Sequence, residues 1–201
     1  MLRYSLCLLC LFPTLLFAEP VKLETGKTKF KPLDDHKNCP ECYKLADFEF
    51  AYEYKFRRAL PACGIEIYDL KFPSPVKSPF PENNTVYCEY YRPMGAGPFP
   101  TVIVLDILQG NQLVSRTQAA MFSQNGIAAL IVYMAYYGPR QPADVKARFL
   151  SPNVAQTLEA VRQTVLDIRC ATAWLETRPE VDSKKLGIHG TSLGSFMAAL
   201  S

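Results

Sequence analysis

A serine attacks a carbonyl only where the backbone carries its hydroxyl clear of neighbouring side chains, and one stretch of this 201-residue chain has the residue types to do so. Gly190-Thr191-Ser192-Leu193-Gly194 is a Gly-x-Ser-x-Gly turn, preceded by Leu186-Gly187-Ile188-His189 and followed by the apolar run Phe196-Met197-Ala198-Ala199-Leu200. The bare pattern is common by chance. A short buried strand before it and a helix after it make it specific, and they mark Ser192 as a candidate nucleophile on a strained strand-to-helix turn. Gly190 and Gly194 remove side chains that would collide as strand and helix close on each other. Leu193, at the helix start, offers its backbone N–H to a developing oxyanion.

A serine nucleophile also needs a base to take its proton and a carboxylate to orient that base. No Asp, Glu or His follows Ser192, and the two histidines are His36 and His189. His36 falls in a polar N-terminal stretch. His189 precedes the nucleophile by three residues, where the turn makes it a poor hydrogen-bond partner, so it reads as a buried or rim histidine. Lys184 and Lys185 begin the strand at its far end, which argues against a Ser–Lys pair.

The elements that must position Ser192 follow from the periodicity upstream. Thr101-Val102-Ile103-Val104-Leu105 and Gly126-Ile127-Ala128-Ala129-Leu130-Ile131-Val132 are near-continuous apolar runs, the pattern of parallel strands buried on both faces. Helices are expected over 113–124 and about 153–177, where Val154, Leu158, Val161, Val165, Ile168 and Leu175 recur at helical steps and Glu159, Arg162 and Gln163 take other faces. Pro179 ends the second helix. Strand, helix, strand, helix, strand, helix is the order of crossover units in a mostly parallel sheet with flanking helices. Upstream, 65–72 and 85–91 read as an antiparallel edge pair, and Phe48, Phe50, Tyr52, Tyr54 and Phe56 alternate as in a half-buried strand. Tyr136 and Tyr137 leave the C-terminal end of a parallel strand, the side where open α/β sheets place their sites, which makes them candidate pocket residues.

Residues 1–18 have the features of a cleaved signal peptide, with a retained N-terminal anchor as the alternative: Arg3, an apolar core over 6–17, and Ala18 before the expected cut. That predicts an exported protein, periplasmic or extracellular, with no membrane segment after cleavage. The chain then divides into an N-terminal arm over 19–60 and a domain over 61–201. The net charge is +3 at pH 7, without the clustered basic footprint that a nucleic-acid partner requires. Cys39, Cys42, Cys63, Cys88 and Cys170 remain after processing. Export favours a disulfide among Cys39, Cys42 and Cys63. A half zinc site lacking a second ligand pair, a redox Cys-x-x-Cys without its usual context, and unpaired thiols are the other readings of Cys39-Pro40-Glu41-Cys42. No metal or cofactor is expected. Asn83-Asn84-Thr85 is a glycosylation sequon for a eukaryotic secretory host.

Three stretches together resemble the α/β-hydrolase superfamily, in its branch of dienelactone-hydrolase-like, acetyl-xylan-esterase-like and prolyl-oligopeptidase-like proteins. They are 98–105, Trp174-Leu175 through Arg178-Pro179-Glu180-Val181-Asp182, and the Ser192 turn. The resemblance implies antiparallel N-terminal strands leading into the parallel part of the sheet. It makes Ser192 the nucleophile and Leu193 the first oxyanion donor. The second donor falls in the turn after the first buried strand, where Asp106-Ile107-Leu108 replaces the family's usual His-Gly and makes Leu108 the candidate. The activity implied is hydrolysis of carboxylic esters, small or polymeric, through an acyl-enzyme, with a peptidase of the same fold as neighbour. The triad acid and histidine would follow Ser201, so the chain reads as the N-terminal part of a longer enzyme, inactive alone. A non-catalytic exported remnant or binding module is the alternative.

Overall fold

The computed structural model describes residues 23–32, 39–143 and 147–201; the expected signal peptide and His36 lie outside the described residues. Seven strands form one mixed sheet: β1 (Leu23–Phe30), β2 (Phe48–Leu60), β3 (Ile65–Pro73), β4 (Thr85–Pro93), β5 (Phe99–Leu105), β6 (Ala128–Val132) and β7 (Val181–Gly190). Their spatial order is β1-β2-β3-β4-β6-β5-β7. The first four pair antiparallel, β4 pairs antiparallel with β6, and β5 lies parallel between β6 and β7. The strands β3 and β4 are therefore interior rather than an edge pair. Part of the expected arm supplies β1 and β2, which extend the same sheet.

The runs in β5 and β6 are apolar throughout because both faces are covered. Helix α1 (Leu113–Gln124) packs on one face, over Val104, Ala129 and Ile131. Helices α2 (Val154–Glu176) and α3 (Leu193–Leu200) pack on the other, where Ile103, Leu105, Leu130 and Val132 meet Ile168, Trp174 and Met197. Alternation in β2 holds as read: Phe50 and Tyr54 are buried, and Tyr54 and Tyr52 reach the Trp174 ring. The asparagine Asn153 caps α2 by accepting from the N–H groups of Ala155 and Gln156. The first turns of α2 depart from the expected apolar stripe. Val154 and Leu158 are exposed, whereas Gln163 and Asp167 are buried, because the helix meets polar loop backbone there rather than strand side chains.

On the α1 face the buried carboxylate of Glu89 in β4 receives Arg116 Nη2 at 2.6 Å, Arg57 Nη1 at 3.2 Å and the Tyr133 hydroxyl at 2.6 Å. Burial opposes its charge, but the bonds from Arg116 and Tyr133 and the charge of Arg57 outweigh it and hold the carboxyl below its ordinary value. A depressed carboxylate contributes stability above the unfolded-state pKa, about 4.3, that is lost as pH falls through the folded value. Urea unfolding between pH 7 and 3 should accordingly show a shallower acid loss in Glu89→Gln than in the wild type, from a lower starting stability at pH 7.

Candidate active site

The backbone of Ser192 has φ 52° and ψ −116°, a conformation that non-glycine residues rarely adopt and that costs about 1–3 kcal/mol. Its side chain is exposed at the junction of β7 and α3. Both flanking glycines are sterically required. A Cβ on Gly190 would lie 2.2 Å from the carbonyl group of Gly194, and a Cβ on Gly194 would lie 2.6 Å from the Leu105 carbonyl oxygen. The turn is further tied to its surroundings by Thr191 N–H to the Leu105 carbonyl at 3.3 Å and Gln118 Nε2 to Thr191 Oγ1 at 3.0 Å. Leu193 opens α3, so its N–H has no acceptor within the helix and sits beside Ser192.

The Asp106–Gly110 turn after β5 stands against this junction, since the Asp106 carbonyl oxygen would lie 2.7 Å from a Cβ on Gly194. Asp106 is buried and orders the turn: its Oδ2 accepts the Gln112 N–H at 2.7 Å. Within the turn the Gln109 N–H goes to the Tyr137 hydroxyl at 2.9 Å and the Gly110 N–H to the Ile107 carbonyl at 3.1 Å. The Leu108 N–H is left without an acceptor among the described residues. Two unspent backbone donors, on Leu193 and Leu108, thus flank the serine turn. Donors so placed are suited to receive negative charge developing on an oxygen.

Tyr136 and Tyr137 are buried, and with Leu108, Gln109, Arg148 and Phe149 they line a cavity of about 250 Å³ beside the turn. Tyr136 takes φ 64°, again left-handed for a non-glycine residue. What holds this loop has no counterpart in the sequence reading. The Tyr136 N–H donates to Asn83 Oδ1 at 2.9 Å, and Asn83 Nδ2 donates to Gln163 Oε1 at 2.7 Å. Arg140 Nη1 and Nη2 donate to the Tyr133 and Asn83 carbonyls at 2.8 Å each, and Nη2 also lies 2.8 Å from Asp167 Oδ2. Both members of that ion pair have no exposed surface. Asp167, set within the apolar run Val165-Leu166-Asp167-Ile168, is the signal that marks a buried partner.

His189 packs on α1. Its ring packs edge-on against Phe122, 5.7 Å between centroids, a turn further along α1 than Gln118, which reaches Thr191. It is the one histidine among the described residues. The disulfide expected among Cys39, Cys42 and Cys63 is not formed: all three are free thiols. Cys42 and Cys63 flank opposite ends of β2, whose 13 residues span roughly 40 Å, against a Cα separation near 7 Å at most for a disulfide. Cys39 Sγ instead receives Arg169 Nη2 at 3.4 Å. Among the described residues no group of three or more His, Cys, Asp or Glu side chains could hold a metal ion, and no helix is long and apolar enough to cross a membrane.

A crossover sheet, with a strained serine between two obligatory glycines where β7, the parallel neighbour of β5, runs into α3, defines an α/β-hydrolase. The chain belongs to the family described as alpha/beta hydrolase domain containing 18, whose pattern matches residues 48–201. Among solved structures it is similar to an acetyl xylan esterase from Paenibacillus sp. R4, at 20% identity and a TM-score of 0.57 over 74% of this chain and 48% of that one. Acetyl xylan esterase 1 from Thermoanaerobacterium sp. JW/SL YS485 matches at 18% identity and a TM-score of 0.54, over 73% and 47%. A glucuronoyl esterase from Solibacter usitatus matches at 16% identity and a TM-score of 0.50, over 73% and 47%. At these identities the likeness carries the fold alone, and the chain spans about half the length of each. No curated protein matches it in sequence.

Two outcomes follow from the packing. Gly190→Ala should lower the unfolding free energy by about 2–3 kcal/mol, measured by urea denaturation, because its Cβ meets backbone that has nowhere to move. Asn83 has no exposed surface and spends both ends of its amide. Folded protein secreted from a eukaryotic host should therefore show no mass shift on endoglycosidase treatment, despite the sequon.

Proposed function

We propose that Ser192 is the nucleophile of a serine hydrolase acting on carboxylic esters, and that the protein is exported. The observation that carries this reading is the Ser192 backbone, held at φ 52° between two positions where no side chain fits. Its hydroxyl attacks the ester carbonyl carbon while a general base takes the hydroxyl proton. The carbonyl oxygen becomes an oxyanion and receives the N–H groups of Leu193 and Leu108. Collapse of the tetrahedral intermediate releases the alcohol, protonated by the base, and leaves an acyl-Ser192 that water hydrolyses by the same steps in reverse roles. Tyr136 and Tyr137 line the adjoining cavity, where part of the ester is held. The esterases among the structural neighbours support an ester over a peptide bond.

The described residues bring no base to Ser192, since His189 is packed on Phe122. That observation favours a second reading, a non-catalytic chain that keeps the sheet without the chemistry. A fluorophosphonate probe separates the two. Full-length protein should label covalently, and Ser192→Ala should abolish the labelling; labelling that survives the substitution would sink the nucleophile assignment.

A further inference from the structure

The turn that offers the Leu108 N–H has no regular secondary structure to hold it, and Leu108 itself is 38% exposed. Besides the Asp106 carboxylate, and the Gly110 N–H that also bonds the Ile107 carbonyl at 3.1 Å, one side chain holds it. The Tyr137 hydroxyl donates to the Ile107 carbonyl at 3.0 Å and accepts the Gln109 N–H at 2.9 Å, so it clasps the turn on both sides of Leu108. The Ile107 carbonyl and the Leu108 N–H belong to one planar trans peptide and point in opposite directions. A bond that fixes the carbonyl therefore aims the N–H away from Tyr137. The same hydroxyl uses up the Gln109 N–H, which would otherwise compete as a donor from the same turn.

The phenol is suited to this. Tyr137 is 5% exposed, and burial pushes its ionisation up to about 12 despite the bond from Gln109, so it stays protonated and able to donate across the working range of an esterase. Its own backbone is anchored by the Tyr137 N–H to the Met134 carbonyl at 3.1 Å, and its ring packs edge-on against Phe149 at 6.2 Å. Beyond that stands the Arg140–Asp167–Asn83 network that holds the loop. Rigid support behind a polar group gives a directed bond its geometric value.

From this geometry we infer that Tyr137 is the positioning residue of the second oxyanion donor: its hydroxyl sets the Ile107–Leu108 peptide plane and thereby aims the Leu108 N–H at the transition state. Tyr137 touches no reacting atom. The inference rests on the proposed role of Ser192 and Leu108. Loss of one well-placed donor costs about 10²–10³ in kcat. A donor present but misaimed should cost less, on the order of 10- to 100-fold.

The test uses full-length protein and three variants, Ser192→Ala, Tyr137→Phe and Leu108→Pro, assayed for ester turnover and fluorophosphonate labelling. Tyr137→Phe is expected to lower kcat on the order of 10- to 100-fold with KM changed less than about threefold, because the interaction it supports is made in the transition state. Amide hydrogen exchange at Gln109 should rise in the same variant, which reports the lost clasp independently of activity. Leu108→Pro, which deletes the donor hydrogen and leaves Tyr137 in place, should lower kcat at least as much. Wild-type kcat in Tyr137→Phe overturns the inference, as does a Tyr137→Phe loss that falls on KM with kcat unchanged. If Tyr137→Phe fails to fold, wild-type kcat in Leu108→Pro overturns it, because there is then no donor for Tyr137 to aim. Labelling that persists in Ser192→Ala fails the underlying assignment instead, and the variants separate the two failures.

Discussion

The functional end of this sheet depends on one contact between backbones, Gly194 pressed against the carbonyl groups of Leu105 and Asp106. No side chain intervenes, so the separation of α3 from the end of β5 is set by van der Waals radii rather than by rotamers. The start of α3 carries the Leu193 N–H, and the turn after β5 carries the Leu108 N–H. Their spacing around Ser192 is therefore inherited from the closest approach the chain permits. The same contact explains the strain at Ser192: with Gly190 also lodged against Gly194, the serine must reverse the chain within one residue, and φ 52° results. The cost of about 1–3 kcal/mol is borne because strand and helix are each fixed elsewhere, β7 by its parallel ladder with β5 and α3 by Met197 in the core.

A second constraint operates at the end of β6, where the chain leaves the sheet as an irregular loop next to the serine turn. Burying Arg140 and Asp167 together removes two charges from water, which costs several kcal/mol per ion before pairing. Here the cost is offset by more than the pair itself, since the guanidinium also donates to the Tyr133 and Asn83 carbonyls and Ser74 Oγ donates to Asp167 Oδ1 at 2.6 Å. Carbonyls and N–H groups that a strand would have satisfied are satisfied by side chains instead. Asn83, Gln163 and Thr164 finish that accounting, the last by accepting the Ala135 N–H at 3.0 Å. Irregular backbone at the site is thus held nearly as firmly as the strands it joins, and Tyr136 can persist at φ 64°.

What the sequence made legible divides along the range of the interactions. The serine turn, the runs of β5 and β6, helix α1 and most of α2 are local signals, and each falls where its periodicity or glycine spacing puts it. The interior position of β3 and β4 was not legible, because antiparallel pairing to β6 is a long-range choice that a strand's own alternation does not record. Helical periodicity put Val154 and Leu158 on the buried stripe with equal weight to Ile168. It contains no information about where the sheet ends and a polar loop begins. Asn83 shows the limit most plainly: its surroundings in sequence spell a surface sequon, while its amide closes a network with residues more than fifty positions away. The Tyr137 clasp belongs to the same kind, since a phenol that bridges two peptides of another turn leaves no trace in spacing.

The departures from stability are not scattered. A left-handed serine, a left-handed tyrosine and two backbone N–H groups without acceptors all lie at the C-terminal ends of β5, β6 and β7. Among the described residues, the remaining non-glycine residues at positive φ, Gln109 and Gln112, lie on the connection from β5 to α1 that carries Leu108. Each of these features costs free energy, and none repays it in the packing of the sheet. Strain, beside donors that no acceptor satisfies among the described residues, supports a ligand as the partner. The two donors narrow what that ligand is, because both are neutral amide N–H groups. A formal cation there would be repelled by them and a bare apolar group would leave them unpaired. On the reading proposed for Ser192, an oxygen that gains negative charge as the serine bonds to its carbon would satisfy both at the moment it is most needed.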